Sequence, residues 1–371
     1  MRIRGAVLER MGMQPPFAAS GPIVIRELDL HSPEPTECLV RIDAAGVCHS
    51  DLSVVTGKRP RQVPMLLGHE ASGRIVEAGS AVSDLSPGDR VVMAFLPRCG
   101  QCRGCQAQGR IPCSLGAASN GAGELIGGGT RLRDGDRAVH HHLGVSAFAD
   151  YAIVDRRSLV PIPEDLPAEV AALLGCAVLT GGGAVWNAVR PEPGMSMAII
   201  GLGGVGAAAL LTALAEPGVD VLVVDPVTDK RDLAVELGAS RALSPQQAMD
   251  ERLRVDAVVE CSGHPDGLAT GIGMLATGGV LAATGLAAPT ATVPLPALAL
   301  VAEALTIRGC YLGSSLPERE IPRFIDLWRQ GRLPLERLVS HRLGLEQINE
   351  AMDRLVDGTA LRQVVYPAGA R

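Results

Sequence analysis

Apolar positions follow two regimes along the chain. Up to about Leu166 they come in short β-branched runs: CLVRIDA at Cys38–Ala44, GRIVE at Gly73–Glu77 and RVVMA at Arg90–Ala94, separated by turn strings such as Ser86-Pro87-Gly88-Asp89. Runs of this length bounded by turn residues predict short strands, and hence a mostly β domain of the partly open barrel kind. From Met197 onward the rhythm changes. MAIIG, VDVLVVD, VDAVVEC and GGVLAATG read as strands, and VGAAALLTALAE and TDKRDLAVELG as helices between them. Repeated βαβ predicts a doubly wound parallel sheet covered by helices, an α/β unit. In between, PAEVAALLGCAVLTGGGAVW reads as a helix followed by a second helix start. The tail is mixed, with helices near Glu318–Gln330 and Leu345–Val356 and a closing strand RQVVYP. Residues 114–138, rich in glycine and polar residues, predict a long and mobile surface excursion.

Composition adds limits. A chain of 371 residues suits two domains, and 47% hydrophobic residues supply two cores. Aromatics are only 2%, so those cores are built from Ala, Val, Leu and Ile. A formal charge of -6 argues against nucleic acid or an anionic membrane as partner. MRIRGAVLERMG has no leader-like apolar stretch, and no uninterrupted apolar run of about 18 residues occurs, so a cytoplasmic protein is expected. Four of the nine cysteines lie within Cys99–Cys113, a clustering that favours metal over disulfides.

Gly201, Gly203 and Gly206 form G-x-G-x-x-G directly after a predicted strand and at a helix start, with Gly204 and Val205 completing the turn. Such a turn lets backbone N–H groups at a helix N-terminus meet a pyrophosphate. Asp225 ends the next strand at the distance expected for an adenosine-ribose acceptor; its charge repels a 2′-phosphate, which favours NAD over NADP. Cys99, Cys102, Cys105 and Cys113 are spaced C-x2-C-x2-C-x7-C. Four close thiolates suit a closed, structural zinc site, with an iron–sulfur cluster as the competing reading. Cys48, His69 and Cys176, in GVCHSD, LLGHEASG and LLGCAVLTG, together offer a Cys2His set that leaves a fourth zinc position open. Glu70 is a candidate transient ligand. Asp51 is a candidate partner for the second nitrogen of His69.

Taken in order, GVCHSD, GHEASG, CGQCRGC, VHHHLGVSAFADYAIVD, GCAVLTG and GLGGVG span nearly the whole chain. In that combination the sequence resembles the zinc-dependent medium-chain alcohol dehydrogenases, closest to the long-loop, liver-type and glutathione-dependent branch. The resemblance implies a GroES-like catalytic domain (1–177 and 312–371) carrying both zinc sites. It implies a Rossmann NAD-binding domain (178–311), with the active site in the cleft between, and a homodimer or homotetramer joined through the cofactor domains. It assigns Cys48, His69 and Cys176 to the catalytic zinc. Ser50 would bond the zinc-bound oxygen and accept the alcohol proton. His49 and Arg362 would meet the diphosphate, Thr180 the nicotinamide, and Asp225 and Lys230 the ribose. Positions matching the family's substrate pocket hold Arg59, Phe95, Ala118, His142, Leu143, Leu286 and Tyr311. Phe95 and the leucines suit an apolar primary alcohol, while His142 and Arg59 suit a polar or acidic group. Ser53 stands where many relatives carry a proton-relay histidine, which leaves His49 or water for proton exit. The implied activity is alcohol–aldehyde or ketone interconversion on a small molecule with NAD and two zinc ions. Glutathione-type formaldehyde oxidation and a zinc-free quinone or enone reductase are the alternatives.

Overall fold

The computed structural model describes residues 1–369 and divides the chain into two units, Met1–Cys176 with the segment from Val339 on, and Ala177–Leu338. The first boundary lies one residue from the expected one. The second lies at Val339, not at 312. The reason is the helix Pro317–Arg329. Its Phe324 is fully buried and stacks on Trp186 with ring centroids 4.3 Å apart, while Arg323 covers the same indole at 3.5 Å. Contacts of this kind fasten the helix to the nucleotide-type unit.

Ten strands precede Cys176: β1 (Arg2–Leu8), β2 (Ile23–Leu30), β3 (Glu37–Val47), β4 (Met65–Leu66), β5 (Ala71–Ala78), β6 (Arg90–Met93), β7 (Leu132–Asp134), β8 (Arg137–His141), β9 (Tyr151–Asp155) and β10 (Leu159–Pro161). The second unit holds β11 (Ser196–Ile200), β12 (Asp220–Val224), β13 (Arg241–Leu243), β14 (Val255–Glu260), β15 (Leu275–Ala283) and β16 (Thr306–Gly309). The chain then returns to the first unit with β17 (Val339–Gly344) and β18 (Arg362–Tyr366). In the first unit β1-β2-β7-β8-β4 close a barrel. A second sheet runs β10-β6-β5-β3-β18-β17, with β9 also on β3. Val7, Leu28, Leu66, Leu132, Val139 and Ile153 pack into one core.

The segment 114–138 is not a loose excursion. Ser114–Ala122 is a helix whose N-cap, Cys113, accepts the Gly116 N–H through its sulfur. Residues 132–134 and 137–141 are two strands of the closed barrel. Polar, glycine-rich composition concealed a hairpin whose buried face is carried by Leu132, Val139 and His141. Beside it the buried Glu37 carboxylate receives both arms of the Arg131 guanidinium at 2.8 and 2.9 Å. The Arg131 backbone N–H donates to Nε2 of His141 at 3.1 Å. Burial, reinforced by the charge of Arg131, depresses the His141 pKa from 6.5 to about 3. The unfolded chain therefore binds a proton between those values that the folded chain refuses. Stability is whole above about pH 6.5 and falls as pH drops toward 3, at about 1.4 kcal/mol per pH unit from this residue. His141→Gln is expected to flatten that part of a denaturant-midpoint-versus-pH curve; an unchanged slope would contradict the assignment.

The second unit is an all-parallel six-stranded sheet in the order β13-β12-β11-β14-β15-β16. That is the doubly wound arrangement in which strand order reverses beside the first strand, and ligands bind at such a reversal. The helical stretch Ala168–Val189 contains two wide π-type turns, Leu174–Val178 and Ala184–Val189. It is long and apolar enough to cross a bilayer, but 89% of its most apolar window is buried within the protein, as in a core helix.

Candidate metal centres and cofactor site

Strand register assembles the first site. β3 runs antiparallel to β5 with Ala45 opposite Ala71, so the chain leaving β3 at Cys48 passes the chain entering β5 at His69-Glu70. β18 lies on the other side of β3 with Gln363 opposite Val47, which brings in Arg362. β5 pairs with β6 through Ala71 and Met93, and the wide turn carrying Cys176 packs onto that strand. A Cβ at Gly175 would collide with the Met93 carbonyl, so only glycine lets the turn come close enough.

The result is that Cys48, His69 and Cys176, all buried, hold their ligand atoms within 4.8 Å of one another. Cys176 Sγ is 3.5 Å from His69 Nε2. Zinc bonds of about 2.3 Å to sulfur and 2.0–2.1 Å to nitrogen give a tetrahedral S–N edge of about 3.6 Å, so the donor set fits one zinc ion. Asp51 organises it. Its Oδ2 accepts the Cys48 N–H at 3.0 Å, closing the N-terminal turn of helix His49–Val55. Its Oδ1 accepts the Gly68 N–H at 3.3 Å and lies 3.1 Å from His69 Nδ1. That contact fixes the tautomer that leaves Nε2 for metal. Burial opposes charge on His69, yet the Asp51 carboxylate outweighs it and holds the pKa well above the ordinary value. Cys48 is held well below the usual thiol range by its hydrogen bond with Cys176, aided by Arg362 and His69.

Glu70 is fully buried and pairs with Arg362, Oε1 to Nη1 at 3.0 Å; the same Nη1 donates to the Val47 carbonyl at 3.0 Å. Arg362, expected at a diphosphate, has its guanidinium on Glu70 and the Val47 carbonyl, next to Cys48. Sequence reasoning also misses Gly46, where a Cβ would run into the Glu70 carboxylate. Neither residue carries a local signal, because both matter only through β3's neighbours. His49 is exposed and Ser50 half-buried at the start of the same helix. The Ser53 hydroxyl donates to the His49 carbonyl at 2.9 Å, a bond within the helix.

Of the pocket candidates, Phe95 and His142 are buried and meet the His69 ring edge-on at centroid distances of 5.6 and 5.2 Å. Leu143 is buried beside them in sequence, Arg59 is half-buried, and Ala118 is exposed on helix Ser114–Ala122. Leu286, exposed, and Tyr311, half-buried, belong to the second unit.

The four-cysteine lobe is equally formed. Sγ–Sγ distances are 3.8 Å for Cys99–Cys105, 3.6 Å for Cys102–Cys105 and 3.9 Å for Cys102–Cys113. A tetrahedral Zn–S4 centre has edges of about 3.8 Å. Cys99 N and Gly100 N donate to Cys113 Sγ and Cys105 Sγ, each at 3.3 Å, and Arg98 binds the Gly104 carbonyl across the lobe at 2.7 Å.

In the second unit, helix Gly204–Leu214 starts directly after the glycine turn. A Cβ at Gly206 would collide with the Gly201 carbonyl, so that glycine serves helix–strand packing. A Cβ at Gly203 would meet no protein atom within 4 Å, so its glycine serves no packing need of the chain itself. Asp225 is buried, with Oδ2 accepting Leu202 N–H at 2.7 Å and Oδ1 accepting Val227 N–H at 2.9 Å. The first bond holds the carboxylate against the glycine turn, and the second fixes it to its own strand end. Lys230 is half-buried one turn into the next helix, and Thr180 is buried in Leu179–Gly183. The set fits a dinucleotide.

Comparison with known proteins agrees. Residues 34–164 match the alcohol dehydrogenase GroES-like domain and residues 204–330 the zinc-binding dehydrogenase domain. The chain is 36% identical to a geraniol dehydrogenase of Castellaniella defragrans, over 98% of this chain and 97% of that one. It is 35% identical to alcohol dehydrogenase B of Mycobacterium tuberculosis, over 93% and 95%. The crystal structure of benzyl alcohol dehydrogenase from Acinetobacter calcoaceticus superposes with a TM-score of 0.90 at 30% identity, covering 99% of each chain. A GroES-like domain and a Rossmann domain in one chain define a medium-chain dehydrogenase. The chain belongs to the zinc-type medium-chain alcohol dehydrogenases, and it is an alcohol–aldehyde oxidoreductase.

Proposed function

We propose that the protein interconverts a primary alcohol and its aldehyde with NAD, using a catalytic zinc on Cys48, His69 and Cys176 and a structural zinc on Cys99, Cys102, Cys105 and Cys113. The observation that carries this reading is the convergence of two buried sulfurs and one imidazole, oriented by Asp51, within 4.8 Å of one another; such a three-donor set would leave zinc a fourth position for substrate. Zinc supplies Lewis acidity, which makes an alcohol proton acidic near neutral pH and polarises the aldehyde in reverse; NAD supplies the hydride acceptor.

The chain's own residues do the rest. Ser50 Oγ, two residues beyond Cys48, takes the alcohol proton, and His49, exposed at the helix start, passes it toward solvent. Phe95 and Leu143 give an apolar wall suited to a hydrophobic alcohol. Backbone N–H groups at Gly203–Gly206 meet the diphosphate, Asp225 and Lys230 the adenosine ribose, and Thr180 the nicotinamide. The Asp225 carboxylate, locked by two N–H bonds, cannot turn away from a 2′-phosphate, which supports NAD over NADP.

The surface of the second unit supports a homodimer joined through it. β16 ends the parallel sheet, and Leu298 and Val301 on helix Ala297–Ala302 are 82% and 80% exposed beside it. An apolar groove of about 560 Å³ lined by Val293, Leu295, Leu300, Leu305 and Ile307 adjoins them. A second copy presents the same edge and the same apolar side chains, as a two-fold interface requires.

The test is metal analysis with cofactor reduction followed at 340 nm over aliphatic, aromatic and terpenoid alcohols, on protein of measured solution mass. Two zinc ions per chain, NAD reduced faster than NADP, activity lost to chelator and the mass of two chains are expected. Alcohol oxidation unaffected by removal of all zinc would overturn the mechanism.

A further inference from the structure

His142 has an assignment that the pocket expectation does not contain. It lies at the end of the barrel strand β8, in a turn shaped to hold it. Leu143, Gly144 and Ser146 all have left-handed backbone, with φ of 53°, 70° and 54°. Two of these are not glycine, a conformation kept only where surrounding bonds enforce it. Those bonds are present. Ser146 Oγ accepts the His142 N–H at 2.8 Å and donates to the Leu66 carbonyl at 2.8 Å, on the strand that leads to Gly68 and His69. The His142 imidazole is thereby delivered, 1% exposed, to the Asp51 carboxylate.

There its Nδ1 is 3.0 Å from Asp51 Oδ1, the same oxygen that faces His69 Nδ1. The approach is off the line of a straight hydrogen bond, and Nδ1 has no other partner. A buried imidazole N–H left unmade is costly, so Asp51 is the atom it must serve. The ring also packs edge-on against the His69 ring. Asp51 Oδ1 is thus bonded by Gly68 N and His69 Nδ1, and His142 Nδ1 closes on the same oxygen from a third side. Its other oxygen holds Cys48 N. One carboxylate sets two of the three metal ligands, and His142 is the contact that comes from outside the ligand segments.

We infer that His142 is a positioning residue for the catalytic metal, clamping Asp51 so that the His69 imidazole and the Cys48 turn keep their ligating geometry. The inference rests on the proposed zinc chemistry but concerns the ion's retention and coordination, not turnover. Partners of ligating histidines typically change metal affinity 10–100-fold when removed. His142 acts one bond further out, so a change near the lower limit, about 10-fold, is expected.

The test exchanges cobalt for zinc at the catalytic site of the full-length protein and compares His142→Phe with His142→Asn. Phenylalanine keeps the ring packing on His69 but has no donor; the asparagine amide can place a donor where Nδ1 stood. The readouts are the cobalt d–d and thiolate charge-transfer bands and the rate of metal loss to a chelator, with the ion of the four-cysteine lobe as internal control. Expected are altered bands and metal loss about 10-fold faster from the catalytic site alone in His142→Phe, with both restored in His142→Asn. Unaltered bands and loss rate in His142→Phe would overturn the inference, as would equal acceleration at both metal sites, which would mark a general loosening of the fold. Unmutated protein that binds no cobalt at Cys48, His69 and Cys176 would overturn the functional reading itself, and this inference with it.

Discussion

Cys176→Ser is expected to release the proposed catalytic zinc and to leave one ion per chain, in the four-cysteine lobe, with turnover reduced at least ~10³-fold. The magnitude follows from what the metal supplies. Lewis-acid stabilisation amounts to several kcal/mol, and each 1.36 kcal/mol is a factor of ten. The selectivity follows from the geometry. Cys176 touches only the first site, with Sγ 3.5 Å from His69 Nε2, while the lobe's four sulfurs lie within residues 99–113 and are held by their own backbone N–H bonds. A serine hydroxyl has no thiolate to offer at neutral pH and shortens the reach toward the ion. Atomic absorption alongside steady-state kinetics checks this; full activity with two zinc ions bound would show that Cys176 is not a ligand.

The second large effect concerns stability. Arg362→Leu is expected to cost about 3–5 kcal/mol, the range for breaking a buried ion pair by removing one partner. Glu70 and Arg362 are 0% and 3% exposed, so solvent cannot screen the charge left on Glu70. The change also removes a cation that holds the Cys48 thiol down, and with it the Val47 carbonyl's donor. Adding Glu70→Gln to Arg362→Leu is expected to recover a substantial part of the loss, because the double variant buries no net charge. Urea unfolding of the zinc-loaded proteins measures both. A single variant within 1 kcal/mol of the unmutated protein would mean that the pair is not buried as described.

Legibility differed by the range of the interaction. The lobe cysteines sit within one turn-rich stretch, so their spacing already expresses the geometry that closes at 3.6–3.9 Å. The glycine turn and Asp225 are likewise local, tied by a bond from Leu202 N–H to Asp225. Segment 114–138 misleads because most of its polar side chains face solvent and few apolar residues, Leu132 and Val139 among them, mark the buried face of a hairpin. The return to the first unit at Val339 is not legible in the sequence, because the packing of helix Pro317–Arg329 on Trp186 leaves no mark in periodicity.

Residue types and short spacings alone determined the chemistry on offer: thiolates and imidazole for zinc, a glycine turn and an acid for a dinucleotide, and β then βαβ architecture. Tertiary structure decided which of those groups act on one another. Glu70 meets Arg362, Gly175 fits under Met93, and His142 reaches Asp51 only because β3 is flanked by β5 and β18 in one register and a strained turn returns to Leu66. The physical reason is that burial turns ordinary side chains into obligatory partners. A carboxylate or imidazole without water must find its counterpart nearby, and only the folded chain specifies which one that is.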